Sequence, residues 1–150
     1  MTIEENLRKL IREKYLALTV RTREKAAHKR IYPDSIADYY EDYYQALEDA
    51  LRVLVGADAV KGFNAYYKEL ETALINEAKT LQLEFDVNHA RKNLTELCKR
   101  YPSLSDLLSV MSYKDVIRLE KNSHRAMSLL IDDIEDFEDE INAMRDKYKL

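Results

Sequence analysis

The chain has 150 residues, 35% charged and 46% hydrophobic, with a formal net charge of −4, two glycines, two prolines and one cysteine. So few breakers exclude strand-and-turn architectures, and the length suits one domain, residues 1–150, that buries a core without staples. Cys98 stands alone, which excludes an internal disulfide and fits a reducing compartment, the cytoplasm.

The chain opens on Thr2, Glu4, Glu5 and Asn6, where a signal peptide would place basic residues before an apolar run. No stretch approaches the roughly 18 apolar residues of a membrane span, so no membrane partner is expected. On a wheel of about 100° per residue, Ile3, Leu7, Leu10, Ile11, Tyr15 and Leu18 share one side and predict a first helix. Tyr32 and Pro33 interrupt it, and Asp34 or Ser35 is placed to cap a second. From Ile36 to Val55 an apolar arc containing Tyr40, Tyr44, Leu47 and Leu51 opposes an acidic arc containing Asp38, Glu41, Asp42 and Glu48. Gly56 marks the end of this second helix.

A third helix follows, with Phe63, Tyr67, Leu70, Leu74, Ala78, Leu81 and Phe85 at coiled-coil-like spacing. The next apolar set, Val87, Ala90, Leu94, Leu97 and Tyr101, lies about half a turn away, which predicts a break near Asp86-Val87-Asn88 and a fourth helix. Ser103 and Asp106 read as a capping box opening a short helix through Met111, and Ser112 with Asp115 repeats the signal. A last stripe from Val116 through Leu130 and Ile141 to Tyr148 predicts one long C-terminal helix, about 50 Å if unbroken. The expected fold is all-α, a bundle of five to six helices.

Charge is uneven along the chain. Residues 1–30 carry nine Lys/Arg and four Asp/Glu, whereas residues 131–150 carry three and eight. Extrapolated past Leu18, the core-facing arc of the first helix becomes Arg21, Lys25, His28 and Lys29, with Arg23 and Arg30 pointing elsewhere. Together these six form a candidate surface for an anion or for a nucleic-acid backbone. The plainer reading pairs this end with the acidic last helix.

Eleven tyrosines are the other unusual feature. Tyr39, Tyr40, Tyr43, Tyr44, Tyr66 and Tyr67 form a candidate partner-binding patch, because tyrosine offers apolar area with a polar tip. The alternative is that they line an ordinary core.

Chemistry-bearing motifs are sparse. There is no glycine-rich phosphate loop, no Cys-x-x-Cys and no His-Glu-x-x-His, so neither a cofactor nor a metal is expected. Glu24/His28 and Glu120/His124 sit four apart, and each reads as an exposed carboxylate–histidine pair.

Arg118-Leu-Glu-Lys-Asn-Ser-His124, and less well Arg23-Glu-Lys-Ala-Ala-His28, resembles the arginine–histidine spacing of HEPN-type helical ribonucleases. That resemblance implies RNA cleavage at a dimer interface. It departs at Leu119, where a polar residue commonly follows the arginine, and an unbroken helix sets Arg118 and His124 about 120° apart. His89-Ala-Arg-Lys92 resembles the His-x-x-Lys of histidine-phosphotransfer bundles, with Asn93 in place of the expected glycine.

The residues favour a non-catalytic helical binding protein, a small regulator, inhibitor or accessory subunit. A protein partner is expected, nucleic acid is the alternative partner, and the long last helix and the opposed charges point to self-association or assembly with a partner.

Overall fold

A computed structural model describes residues 1–127 and 130–150, and among them the chain is all-helical with no strand. Thr2 caps α1 (Ile3–Ala26) through a capping box, its side chain accepting from the Glu5 amide while the Glu5 carboxylate accepts from the Thr2 amide. α2 (Pro33–Leu54) starts two or three residues earlier than expected: Pro33 occupies the first turn behind an extended Tyr32, and no side chain caps it. Gly56 ends the connection with φ +129°, a conformation that side chains rarely adopt.

α3 runs unbroken over Ala57–Leu97, so the break expected near Asp86 is absent. No proline or glycine stands there to stop helix propagation. The phase step has another cause. The chain forms two compact units, Met1–Phe85 and Asp86–Leu150. Phe63, Tyr67 and Leu74 belong to the first core, whereas Ala90 and Leu94 belong to the second.

In the first unit α1, α2 and the start of α3 form a three-helix bundle. α1 and α2 are antiparallel, since Tyr40 reaches Ile11 while Lys14 reaches Tyr39. The core seam of α1 runs through Leu7, Ile11, Leu18 and Thr22. Ile3 and Leu10, expected in the core, are exposed, and the arc that was to turn basic turns instead to threonine. From Leu7 to Thr22 the seam takes 15 residues over four turns, slightly more than 3.6 per turn, so the arc extrapolated on a straight wheel falls behind it and lands beside Thr22, on Arg21 and Lys25.

Aromatic rings fill this core. Tyr44 and Tyr67 stack with centroids 3.9 Å apart, while Tyr40 packs 5.1 Å from Tyr67 and Phe63 packs 5.3 Å from Tyr44. Each buried hydroxyl is satisfied. Tyr40 donates to the Ile11 carbonyl at 3.0 Å, Tyr44 accepts from Asn64 at 2.9 Å, and Tyr67 donates to Glu71. Burial pushes all three phenols upward, Tyr44 to about 12.

In the second unit the tail of α3 is joined by α4 (Leu104–Leu108), α5 (Tyr113–Ala126) and α6 (Ile131–Lys147). The capping box expected at Ser103 is not made, and α4 stops before Met111. The long C-terminal helix is corrected as well. Met127 and Leu130 lie outside helices, residues 128–129 of the expected helix lie outside the described residues, and α6 returns antiparallel along α5. The exposed Met127, Leu130 and Ile131 at this turn could continue the stripe only by leaving the core. The 50 Å rod therefore no longer argues for self-association.

Asp115, 5% exposed, ties α5 to the C-terminal end of α6. Its Oδ2 accepts from Lys147 Nζ at 2.8 Å and from the Tyr148 hydroxyl, which itself accepts from the Ser112 amide at 2.8 Å. These donors, Lys147 first, hold the Asp115 carboxyl below its usual range.

Two expectations follow. Tyrosinate absorbance will show Tyr40, Tyr44 and Tyr67 resisting ionisation until the first unit unfolds. With folded values raised above the ordinary 10.0, their stabilisation is intact below that pH and declines above it. Asp115→Asn will destabilise the second unit by about 1–3 kcal/mol at neutral pH. Because the folded carboxyl titrates below 3.8, the gap between wild type and variant will shrink once pH falls under that value. Hydrogen exchange of the α5 and α6 amides measures the gap.

Candidate anion-binding groove

The basic residues at the end of α1 divide into three environments. Arg21, Arg23 and Lys25 lie in the last turns of the helix, where cations complement the C-terminal end of the dipole. His28, Lys29 and Arg30 follow in the exposed connection to α2, which opens with the His28 and Lys29 amides donating to the Lys25 carbonyl. Arg23 is committed, since its guanidinium pairs with Glu77 on α3. Arg30 rests over the Tyr32 ring, 5.7 Å from its centroid.

Arg21 and Lys25 differ from Arg23. Among the described residues neither has a carboxylate partner. Both line a groove of about 240 Å³ between the end of α1 and the start of α2, floored by Leu18 and Ile36. Thr22 lies between them on α1, while Ser35 and Tyr39 form the α2 wall.

Tyr39 is 52% exposed, and Lys14 shapes its chemistry. Lys14 Nζ donates to the Tyr39 hydroxyl at 3.0 Å, a bond to the phenolate that holds its pKa below the ordinary value. The same ammonium sits 4.7 Å from the Tyr39 centroid and 5.1 Å from that of Tyr43.

The tyrosine patch is corrected by half. Tyr40, Tyr44 and Tyr67 are buried in the first core and cannot meet a partner. Tyr43 and Tyr66 are half-buried, Tyr66 beneath Arg8. Adjacent tyrosines on a helix diverge by about 100°, so each pair splits between core and surface. Thr22 and Ser35 were missed because a lone hydroxyl carries no periodic signal.

The remaining motif residues lie elsewhere. Arg118 approaches Asp115 at 3.7 Å and His124 approaches Glu120 at 3.5 Å, so each is engaged by a carboxylate one turn earlier. His89 lies exposed on α3. A second groove, of about 360 Å³ between α5 and α6, is flanked by Arg118 and Lys147, and both already face Asp115. Among the described residues no group of three His, Cys, Asp or Glu could hold a metal ion, and no helix is long and apolar enough to cross a membrane.

Comparison of the chain with protein families, curated proteins and solved structures finds no match to any of them.

Lys14→Met will raise the Tyr39 titration midpoint toward 10.0, read as a shift in the earliest-ionising tyrosine of the absorbance titration. The pair is exposed and screened by solvent, so thermal stability will change little. An unshifted midpoint would show that Lys14 does not hold the phenol.

Proposed function

We propose that this chain is a non-catalytic helical binding protein, a small cytoplasmic regulator, inhibitor or accessory subunit, that engages an acidic protein partner through the α1–α2 groove of its first unit. The observation that carries this reading is the unpaired state of Arg21 and Lys25 beside an exposed tyrosine, while Arg23 two residues away is neutralised by Glu77. Two like charges held one turn apart repel each other, and an anionic partner removes that cost. Tyr39 adds apolar area of the kind enriched at protein interfaces. The free Cys98 fits a reducing compartment. The placement of Arg118 and His124, each beside its own carboxylate, favours binding over RNA cleavage.

Binding of fluorescent polyglutamate, measured by anisotropy, tests this. Affinity will fall as salt rises, because exposed charges are screened over about 10 Å at 0.1 M. The triple reversal Arg21→Glu, Lys25→Glu, Lys29→Glu will reduce affinity at least tenfold with an unchanged helical spectrum. Undiminished affinity in the reversal variant would overturn the reading. If a single-stranded oligonucleotide of equal charge binds far more tightly than polyglutamate, the partner is nucleic acid and not protein.

A further inference from the structure

The α1–α2 groove offers more than two cations. Thr22 is 4% exposed and lines the groove, yet its hydroxyl has no hydrogen-bond partner among the described residues. Thr19, one turn away at 3.6-residue spacing, shows the ordinary alternative, its hydroxyl donating to the Tyr15 carbonyl at 2.9 Å. The Thr22 hydroxyl is open to the groove, and a hydroxyl that no protein group engages can donate to a ligand there. Ser35 faces the same space from the first turn of α2, where no side chain caps the helix and the Asp34 and Ser35 amides precede the first closed turn.

Resting on the reading of this groove as a binding surface, we propose that it takes a phosphoryl group carried on a side chain of the partner protein, held by Arg21, Lys25, Thr22 and Ser35. The donor set decides against a carboxylate. Four side chains able to donate line the groove from two helices, and a phosphomonoester presents three terminal oxygens and about 1.5–2 negative charges where a carboxylate presents two oxygens and one charge. Arginine's planar fork suits such oxygens, and lysine adds a point charge. The positive end of α2 adds to the same field. Asp34 and Asp38, the nearest acids on α2, do not line the groove.

Size decides against a nucleotide. Sites for whole small molecules run about 300–1,000 Å³. The groove, at about 240 Å³, is sized for one side-chain head. A nucleic-acid phosphodiester has one charge and leaves the site in two chain directions, which a short groove between two helices does not follow.

Capped pentapeptides with phosphoserine or phosphotyrosine between glycine pairs, titrated into the full chain and followed by amide NMR, test the inference. At least one phosphopeptide will bind about tenfold more tightly than its unphosphorylated form and will shift the Arg21–Lys25 and Asp34–Ser35 amides. Thr22→Val will remove most of that gain. Should Thr22→Val fail to fold, Arg21→Gln and Ser35→Ala replace exposed side chains, and each will lower phosphopeptide affinity severalfold. The inference is overturned if phosphorylation leaves affinity unchanged, if adenosine monophosphate binds more tightly than either phosphopeptide, or if Arg21→Gln and Ser35→Ala both keep full affinity. Polyglutamate binding that depends on Arg21 and Lys25, with no preference for phosphopeptides, sinks this inference alone. Charge reversal without effect on either probe sinks the proposed function as well.

Discussion

The first unit depends on three tyrosine hydroxyls that cannot be buried without partners. Tyr40, Tyr44 and Tyr67 pack together in the first core, and a phenol taken from water needs a hydrogen bond to offset the loss. That need fixes register. Tyr40 must meet the Ile11 carbonyl, and Tyr44 must meet Asn64, so sliding one helix by a turn, about 5.4 Å, would orphan a hydroxyl. Oily side chains alone would pin the helices less sharply. The groove is a consequence, since antiparallel pairing through Tyr40 and Ile11 brings the last turns of α1 beside the first turn of α2.

Cations on this chain divide by what they already touch. Arg23 meets Glu77, while Lys147 and Arg118 meet Asp115, and in each case a neighbouring helix or turn supplies the carboxylate. Arg21 and Lys25 point along a seam whose facing residues are Ser35, Ile36 and Tyr39, none of them acidic. The same helix end therefore carries one cation used for folding and two left for a ligand. The second unit solves its own problem at Asp115, where a carboxylate at the start of α5 gathers the end of α6. Lys147 and Tyr148 thus hold the end of α6 to the start of α5.

Helix α3 serves two cores, and this explains what looked like a break. A stripe that steps by half a turn suggests either a bend or a change of what the helix packs against. Without glycine or proline at Asp86-Val87-Asn88, backbone hydrogen bonding continues, and residues of one helix enter two cores.

Composition and period determined the helical class, the Pro33 and Gly56 boundaries, and the apolar arc of α2, because these rest on local backbone geometry and on a repeat read within one segment. The basic cluster at the end of α1 was legible for the same reason: charge needs no partner to be seen. Only the tertiary structure decided which face of α1 is buried, since Ile3 and Leu10 fit the wheel but find no neighbouring helix, whereas Thr22 does. It likewise decided that Tyr39 remains at the surface while Tyr40 is buried, that the last stripe folds back on itself, and that Arg23 is paired while Arg21 and Lys25 are not. Each of those outcomes depends on a residue tens of positions away, such as Glu77 for Arg23 or Ile11 for Tyr40, and periodicity within one helix carries no information about what another helix brings to it.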